Sequence, residues 1–371
     1  MAIIKLRSSD SRDCSASVPS SLRRLRSRAF LVLGGLAAFG LAACAPIESD
    51  GDSSTEVDQD TQPIIGGTKT TAYPSTGYVE IAGGSCTGTL IAKQAVLTAA
   101  HCVDNGKGGV LGTGSFWTQA ANGSWTQRPF SKAYAHPSYF TSSWQNNDVA
   151  VLILDTAVTT ITPSPLGSAA PYVGLPITLV GYGYISDTGG NDAGDKYFGT
   201  NKVASFTDYL FSYNGHTPGN ANNCSGDSGG PAFDKTGAVI GVTSTGVGNA
   251  YCSTSGTDVR VAPHASWILS KIPAGSGVST SKCATVAEGS STTLSCDGGR
   301  TIANLTFASY GNPTGMCGGF SNGSCNASTT KSKLESLCKG KASCVVAANN
   351  TTFGDPCSSI QKSLKVQYTC Q

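Results

Sequence analysis

The chain has 371 residues, of which 39% are hydrophobic and 13% charged, with 46 glycines and 14 cysteines. That length gives room for two domains with cores of their own. The formal charge of +2 divides unevenly: residues 1–43 hold 7 Lys/Arg against 2 Asp/Glu, residues 44–63 hold 6 acidic and no basic groups, and 64–371 stay near +3. A near-neutral body excludes nucleic-acid binding and electrostatic steering as organising functions.

The first element is an export signal. Arg23, Arg24, Arg26 and Arg28 precede the apolar run from Ala29 to Ala43, which is too short for a comfortable membrane span. Its end, Leu41-Ala42-Ala43-Cys44, resembles a bacterial lipobox, which implies lipidation of Cys44 and membrane anchoring. The alternative is ordinary signal cleavage at Ala43-Cys44-Ala45, disfavoured by Pro46 just after the cut. Without Cys14 and Cys44, twelve cysteines remain, all pairable, and export supplies the oxidising compartment they need. Residues 44–63 are acidic, Ser/Thr-rich and poor in large apolar groups, and so predict a flexible tether or propeptide.

Beyond residue 63 the apolar runs are short, as in Val149–Leu154 and Ile177–Val180, and Gly, Asn, Ser and Pro bound them. This pattern predicts an all-β body with many turns. Three motifs follow one another within it: Thr98-Ala99-Ala100-His101-Cys102, Asn147-Asp148-Val149, and Cys224-Ser225-Gly226-Asp227-Ser228-Gly229-Gly230-Pro231. Each alone could be a half-buried histidine, a strand-capping acid or a surface turn. Together they are the parts of a nucleophilic catalyst. A serine hydroxyl needs a base, which His101 supplies for Ser228, and the imidazole needs a buried carboxylate, Asp148, to fix its tautomer and support its developing charge. The glycines allow a sharp backbone turn that aims the N–H groups of Gly226 and Ser228 at an oxyanion.

These motifs resemble the trypsin/chymotrypsin family of serine endopeptidases, from Ile64 to about Ile272. Ile64-Ile65-Gly66-Gly67 resembles the family's mature N-terminus, Gly181-Tyr182-Gly183 its Gly-aromatic-Gly motif, and Val261–Ile272 its C-terminal helix. The resemblance implies an all-β fold of two antiparallel six-stranded β-barrels with a C-terminal helix, the triad lying between the barrels. It implies disulfides Cys86–Cys102 and Cys224–Cys252, and a zymogen in which a freed Ile64 amine pairs with Asp227. Pro63, rather than Arg or Lys, precedes Ile64, so the activating cut is made by a protease of another specificity, is reached by stepwise trimming, or does not occur. A cut there would release the protease from the lipid anchor, because no cysteine lies between Cys44 and Ile64. In the specificity pocket the resemblance places Asn222 at the base, where trypsin has an acid, with Ser244, Gly246 and Gly256 as wall positions that stay open. Asp258 falls near the floor or is a solvated turn carboxylate, and the balance is toward the turn.

Residues 273–282, PAGSGVSTSK, read as a flexible linker. Residues 283–370 hold eight cysteines, a density that stabilises a small disulfide-rich α/β module. Ser332-Lys333-Leu334-Glu335 predicts a capping box opening a helix that Gly340 terminates. Ala287-Glu288-Gly289, Thr293–Cys296, Ala308–Gly311, Phe353–Cys357 and Leu364–Tyr368 resemble the galactose/rhamnose-binding lectin domains of the egg-lectin type over residues 283–371. That resemblance implies Cys283–Cys317, Cys296–Cys370, Cys325–Cys357 and Cys338–Cys344, with sugar contacts at Glu288, Tyr310, Asp355 and Lys362. Asn312 and Ser359 stand where that family has Arg and Gly, so a spacer or protein-binding module is the alternative.

The expectation is therefore an exported endopeptidase acting on protein or peptide substrates, targeted to galactose- or rhamnose-containing glycans. The competing readings are a binding protein on an inactive protease fold, and a carbohydrate-active enzyme, for which no carboxylate pair stands out. No cofactor is expected. No metal is expected either, since His101, His136, His216 and His264 are dispersed along the chain.

Overall fold

The computed structural model describes residues 64–82, 84–183, 194–247 and 254–371. The export signal, Cys44, the tether, Pro63 and Cys252 lie outside the described residues. Among the described residues no helix is long and apolar enough to cross a membrane.

After the two-residue strand β1 (Thr68–Lys69) come β2 (Thr76–Ile81), β3 (Gly84–Ala92), β4 (Ala95–Thr98), β5 (Gly114–Gln119), β6 (Trp125–Ala135) and β7 (Ala150–Leu154). The last six close into a barrel in the order β2-β3-β4-β7-β6-β5. Its strands β4 and β7, Ala-Val-Leu-Thr and Ala-Val-Leu-Ile-Leu, are apolar with almost no alternation, because both of their faces are covered. Inside lie Val79, Leu90, Phe116 and Phe130, and on the outside Val242, Val259, Val261 and Ile268 join the same cluster. Each such fully buried side chain contributes roughly 1.5–3 kcal/mol of transfer free energy.

A short strand β8 (Leu166–Gly167) leads to β9 (Pro176–Gly181), β10 (Tyr197–Phe206), β11 (Leu210–Asn214), β12 (Pro231–Phe233), β13 (Val239–Val247) and β14 (Ser255–Arg260). These also close, in the order β12-β9-β10-β11-β14-β13 and back to β12, and β1 pairs on the outside of β10. Ile64, Leu179, Val203, Phe211 and Tyr213 fill this second barrel. Helix α1 (Val261–Lys271) packs against β7, β8 and β13 and so spans the barrel junction.

The C-terminal module contains β15 (Thr280–Ala287), β16 (Ser291–Ser295), β17 (Ile302–Gly311), α2 (Thr330–Cys338), β18 (Ser343–Ala347), α3 (Asn350–Phe353) and β19 (Ser363–Cys370). The structure closes the disulfides Cys283–Cys317, Cys296–Cys370, Cys325–Cys357 and Cys338–Cys344 around its core. Two details differ from the sequence reading. Helix α2 begins at Thr330, so Ser332 lies inside it with its hydroxyl on Thr329 O, and no capping box forms. The segment 273–282 is built into the fold instead of hanging as a linker. Lys93 N donates to Ser276 O, Leu166 N donates to Ser279 O, and Thr280 opens β15.

That strand joins the module to the protease body. Leu166 of β8 pairs in parallel with Val239 of β13 on one side and with Thr280 of β15 on the other, so one sheet runs from the second barrel through β8 into β15-β19-β17. Beside this seam the buried Gln367 Nε2, with two hydrogens to give, lies within hydrogen-bond distance of Asp234 Oδ2 (2.9 Å), Thr236 Oγ1 (2.8 Å) and Ser281 Oγ (3.0 Å), and its Oε1 accepts from Gly318 N (3.2 Å). Burial raises the Asp234 carboxyl, against hydrogen bonds from Thr236, Gln367 and Ala238 that favour its charged form.

Candidate active site

His101 is held by what surrounds it in the chain. Strand β4 ends at Thr98, whose hydroxyl donates to Thr87 O at 2.8 Å, and the fully buried Ala99 and Ala100 carry the chain into the barrel junction. Cys102 is then tied to Cys86 of β3. Asp148 arrives from the other edge. A 3-10 turn over Trp144–Asn147 precedes it, and Asn147 Nδ2 donates back to Ser143 O at 2.9 Å. The other side of Asn147 meets His264 Nε2 at 3.3 Å.

The Asp148 side chain is 0% exposed. Three donors satisfy it: His101 N on Oδ1 at 2.8 Å, and on Oδ2 both His101 Nδ1 at 2.7 Å and Ser244 Oγ at 2.6 Å. A carboxylate can only accept, so His101 carries its proton on Nδ1 and offers a bare Nε2, the tautomer a general base needs. Ser244, placed by resemblance in the specificity pocket, directs its hydroxyl to the acid of the triad.

The nucleophile loop is gripped on both sides. Thr87 N donates to Ser228 O at 2.8 Å, and Gly229 N donates to Thr243 O at 2.8 Å. Gly226 adopts φ +94°, which an L side chain rarely does. Among the described residues, no hydrogen bond occupies Gly226 N–H or Ser228 N–H, the two donors an oxyanion would take.

Asp227 is fully buried beneath this loop. Its carboxylate accepts from Gly183 N and Cys224 N, each at 2.8 Å, and from the backbone N–H of Ile64. A Cβ at Gly181 or Gly183 would collide with that carboxyl, which is why a glycine flanks Tyr182 on each side. Complete burial pushes the Asp227 carboxyl up to about 7, and the three backbone donors pull the other way. Ile64 is 1% exposed and has φ +48°, a conformation strained for a β-branched residue.

The pocket residues divide. Asn222 is buried, and its N donates to Ile65 O at 3.0 Å. Gly246 stays open, with only Ser255 O near an added Cβ. Gly256 does not, because the ring of Tyr213 lies against it. Asp258 is no turn carboxylate: it lies inside β14, cross-strand from Thr243, with zero exposure, and accepts from Tyr213 OH at 3.0 Å. Burial pushes it up to about 7, opposed by the Tyr213 and Thr243 hydrogen bonds. Tyr213 is a site residue the sequence reading missed, and the regular alternation of β11 was its one available signal. Cys224 is disulfide-bonded, while its inferred partner Cys252 lies outside the described residues. Of the dispersed histidines, His136 and His264 meet edge to face at 5.2 Å, against Trp267.

In the C-terminal module, the Lys362 ammonium sits between Asp355 Oδ1 at 3.0 Å and Glu288 Oε1 at 3.4 Å. Tyr310 is fully buried on Phe353, and its hydroxyl reaches Glu288 Oε1 (3.1 Å) and Asn350 Oδ1 (2.8 Å). It therefore orients Glu288 from inside the module and is not an open contact surface. Backbone and side-chain bonds from Lys362 hold Glu288 below the usual carboxylate range, and the Lys362 hydrogen bond does the same for Asp355.

This fold and constellation are those of a two-barrel serine hydrolase. The trypsin family model matches residues 64–268, more than half of the chain, and the chain belongs to the trypsin family of serine endopeptidases. The model of the D-galactoside/L-rhamnose binding SUEL lectin domain matches residues 294–370. Among curated relatives, beta-galactosidase 11 of Arabidopsis thaliana is 46% identical over 82 residues, 21% of this chain and 10% of that protein. Beta-galactosidase 6 of Oryza sativa subsp. japonica is 40% identical over 72 residues, 19% of this chain and 8% of that protein. The chain thus spans about a tenth of the length of the curated relatives it matches. A solved Glu endopeptidase in complex with MPD is 22% identical with a TM-score of 0.47, covering 56% of this chain and 97% of its own. Mouse neuropsin, a serine protease expressed in the limbic system of the brain, is 20% identical with a TM-score of 0.48, covering 56% of this chain and 100% of its own.

Proposed function

We propose that the chain is an exported endopeptidase, made as an inactive precursor, that cleaves peptide bonds through an acyl-enzyme and is brought to glycan-bearing surfaces by its C-terminal module. The observation that carries the catalytic reading is the buried Asp148 carboxylate, which fixes the His101 proton on Nδ1. His101 Nε2 takes the Ser228 hydroxyl proton as Oγ attacks the scissile carbonyl. Gly226 N–H and Ser228 N–H receive the oxyanion, and the imidazolium returns its proton to the departing amine. Water then adds to the ester with His101 again as base, which frees the acid product and restores Ser228.

The precursor reading is supported by Ile64. In the uncut chain its N–H is an amide that brings no charge to the buried Asp227, and its φ is strained. Cleavage after Pro63 removes the φ restraint and places an ammonium beside that carboxylate, which holds it ionised and fixes the loop above it. Cys44 as a lipid anchor would keep the uncut form on the membrane, and the same cut would release it. The match to the lectin domain supports glycan binding, with Glu288 and Asp355 as the polar groups facing the sugar and the buried Lys362 holding both carboxylates in place.

The activation step is tested by replacing residues 58–63 with a cleavable sequence that leaves Ile64 first. Cutting should raise turnover roughly 10²–10⁴-fold, the range that about 3–5 kcal/mol for a buried ion pair sets. A version leaving one extra residue before Ile64 should stay low. Full activity in uncut material would defeat the precursor reading.

A further inference from the structure

We propose that the outer face of the first barrel carries a cation-binding cage, formed by Tyr78, Trp117 and Trp125 around Glu80, that takes a lysine or arginine side chain of a polypeptide. Tyr78 and Glu80 are two apart on β2 and share a face. Trp117 of β5 stands directly across from Tyr78. Trp125 of β6 stands across from Gln119, one step further along the same face of β5. The four side chains line a recess of about 340 Å³ bordered by Gly194.

The chemistry of the recess is one-sided. Trp117 Nε1–H donates to Glu80 Oε2 at 2.9 Å, so the indole donor is already engaged. Among the described residues no cation pairs with Glu80, and its Oε1 has no partner. A carboxylate with a vacant oxygen, set among three aromatic rings, presents negative charge to whatever enters, and a guanidinium or ammonium with an apolar stem answers both parts. Trp125 is 40% exposed, so one side of its indole is open to an occupant. Two of the rings are backed by a buried tyrosine. Tyr182 lies 5.5 Å from Trp125 and 6.2 Å from Tyr78, with its N on Thr87 Oγ1 and its OH on Thr76 O. That ring already has a cation against it, since the buried Lys196 Nζ stands 5.8 Å from its centre.

Its position suggests a polypeptide as the occupant. Thr87, which holds Tyr182 N, also donates from its hydroxyl to Gly226 O and from its backbone to Ser228 O. The cage therefore adjoins the nucleophile loop on the β3 side, across from Thr243 and the Ser244–Gly246 strand. A chain lying over Ser228 could place a basic side chain in it. This use as a substrate contact rests on the endopeptidase reading, whereas the binding itself does not.

The test uses the full chain with Ser228→Ala, titrated with acetylated, amidated hexa-arginine at physiological salt and followed by calorimetry and tryptophan fluorescence. Saturable binding is expected, weakened about tenfold by Trp125→Ala and by the nearly isosteric Glu80→Gln, with unchanged melting temperature in the latter. Hexa-glutamate should not bind. Absence of saturable binding, parent-like affinity in both variants, or the same response to uncharged maltohexaose would overturn the cage. None of these outcomes bears on labelling of Ser228 in the unmodified chain, which tests catalysis separately.

Discussion

Asp148→Asn is expected to lower kcat about 10⁴-fold on peptide substrates while leaving KM and the fold nearly intact, the loss known for this replacement in a Ser-His-Asp triad. Three donors converge on the carboxylate, from His101 N, His101 Nδ1 and Ser244 Oγ. An amide keeps one oxygen and turns an NH₂ toward the others. The favourable rearrangement gives Nδ1 the acceptor role and moves the imidazole proton to Nε2, where the base should be bare. Ser244→Ala removes only one of the donors to Oδ2, so its effect should be far smaller. Steady-state kinetics on both variants after activation reads the difference, and equal losses would show that Asp148 acts through something other than the histidine tautomer.

Gln367→Met is expected to destabilise the whole body by about 3–5 kcal/mol, although Gln367 lies far in sequence from the triad. The side chain nearly fills the same volume, but its amide serves Asp234 Oδ2, Ser281 Oγ and the Gly318 N–H. Removing it leaves several buried polar groups without a partner, each costing about 1–3 kcal/mol. The continuous sheet through β8 makes the loss common to both parts. The parent chain should therefore melt in one calorimetric transition, and the variant in an earlier transition or in two. A variant with the parent's melting profile would show that the seam contributes nothing.

The candidate catalytic groups stand out in the sequence because their chemistry demands fixed neighbours. The glycines around Ser228, the small Ala99-Ala100 pair before His101 and the apolar strand after Asp148 all sit where backbone and burial require them. Resemblance to known families supplied the barrels and the cysteine pairing, which spacing alone leaves open. What stayed hidden was side-chain direction and distant pairing. Ser244 is a wall residue by position, yet its hydroxyl turns to Asp148. Asp258 reads as a turn acid among Gly, Thr and Arg, although alternation from the buried Gly256 puts it on the inward face of β14. The segment 273–282 has a linker's composition, and only Leu166 and Lys93, remote in sequence, reveal that its backbone is paired. Helix α2 starts at Thr330 and not at Ser332, since the Thr330 hydroxyl takes Ala327 O and the chain turns earlier.

The central claim is that Ser228 is an activated nucleophile. Incubation of the chain, cut so that Ile64 is its first residue, with a fluorophosphonate probe measures this directly. Stoichiometric labelling at Ser228, abolished by Ser228→Ala and strongly slowed by His101→Ala, is the predicted result. Material that begins at Ile64, is folded, and takes up no label would contradict the account and mark the chain as a binding protein on a protease scaffold.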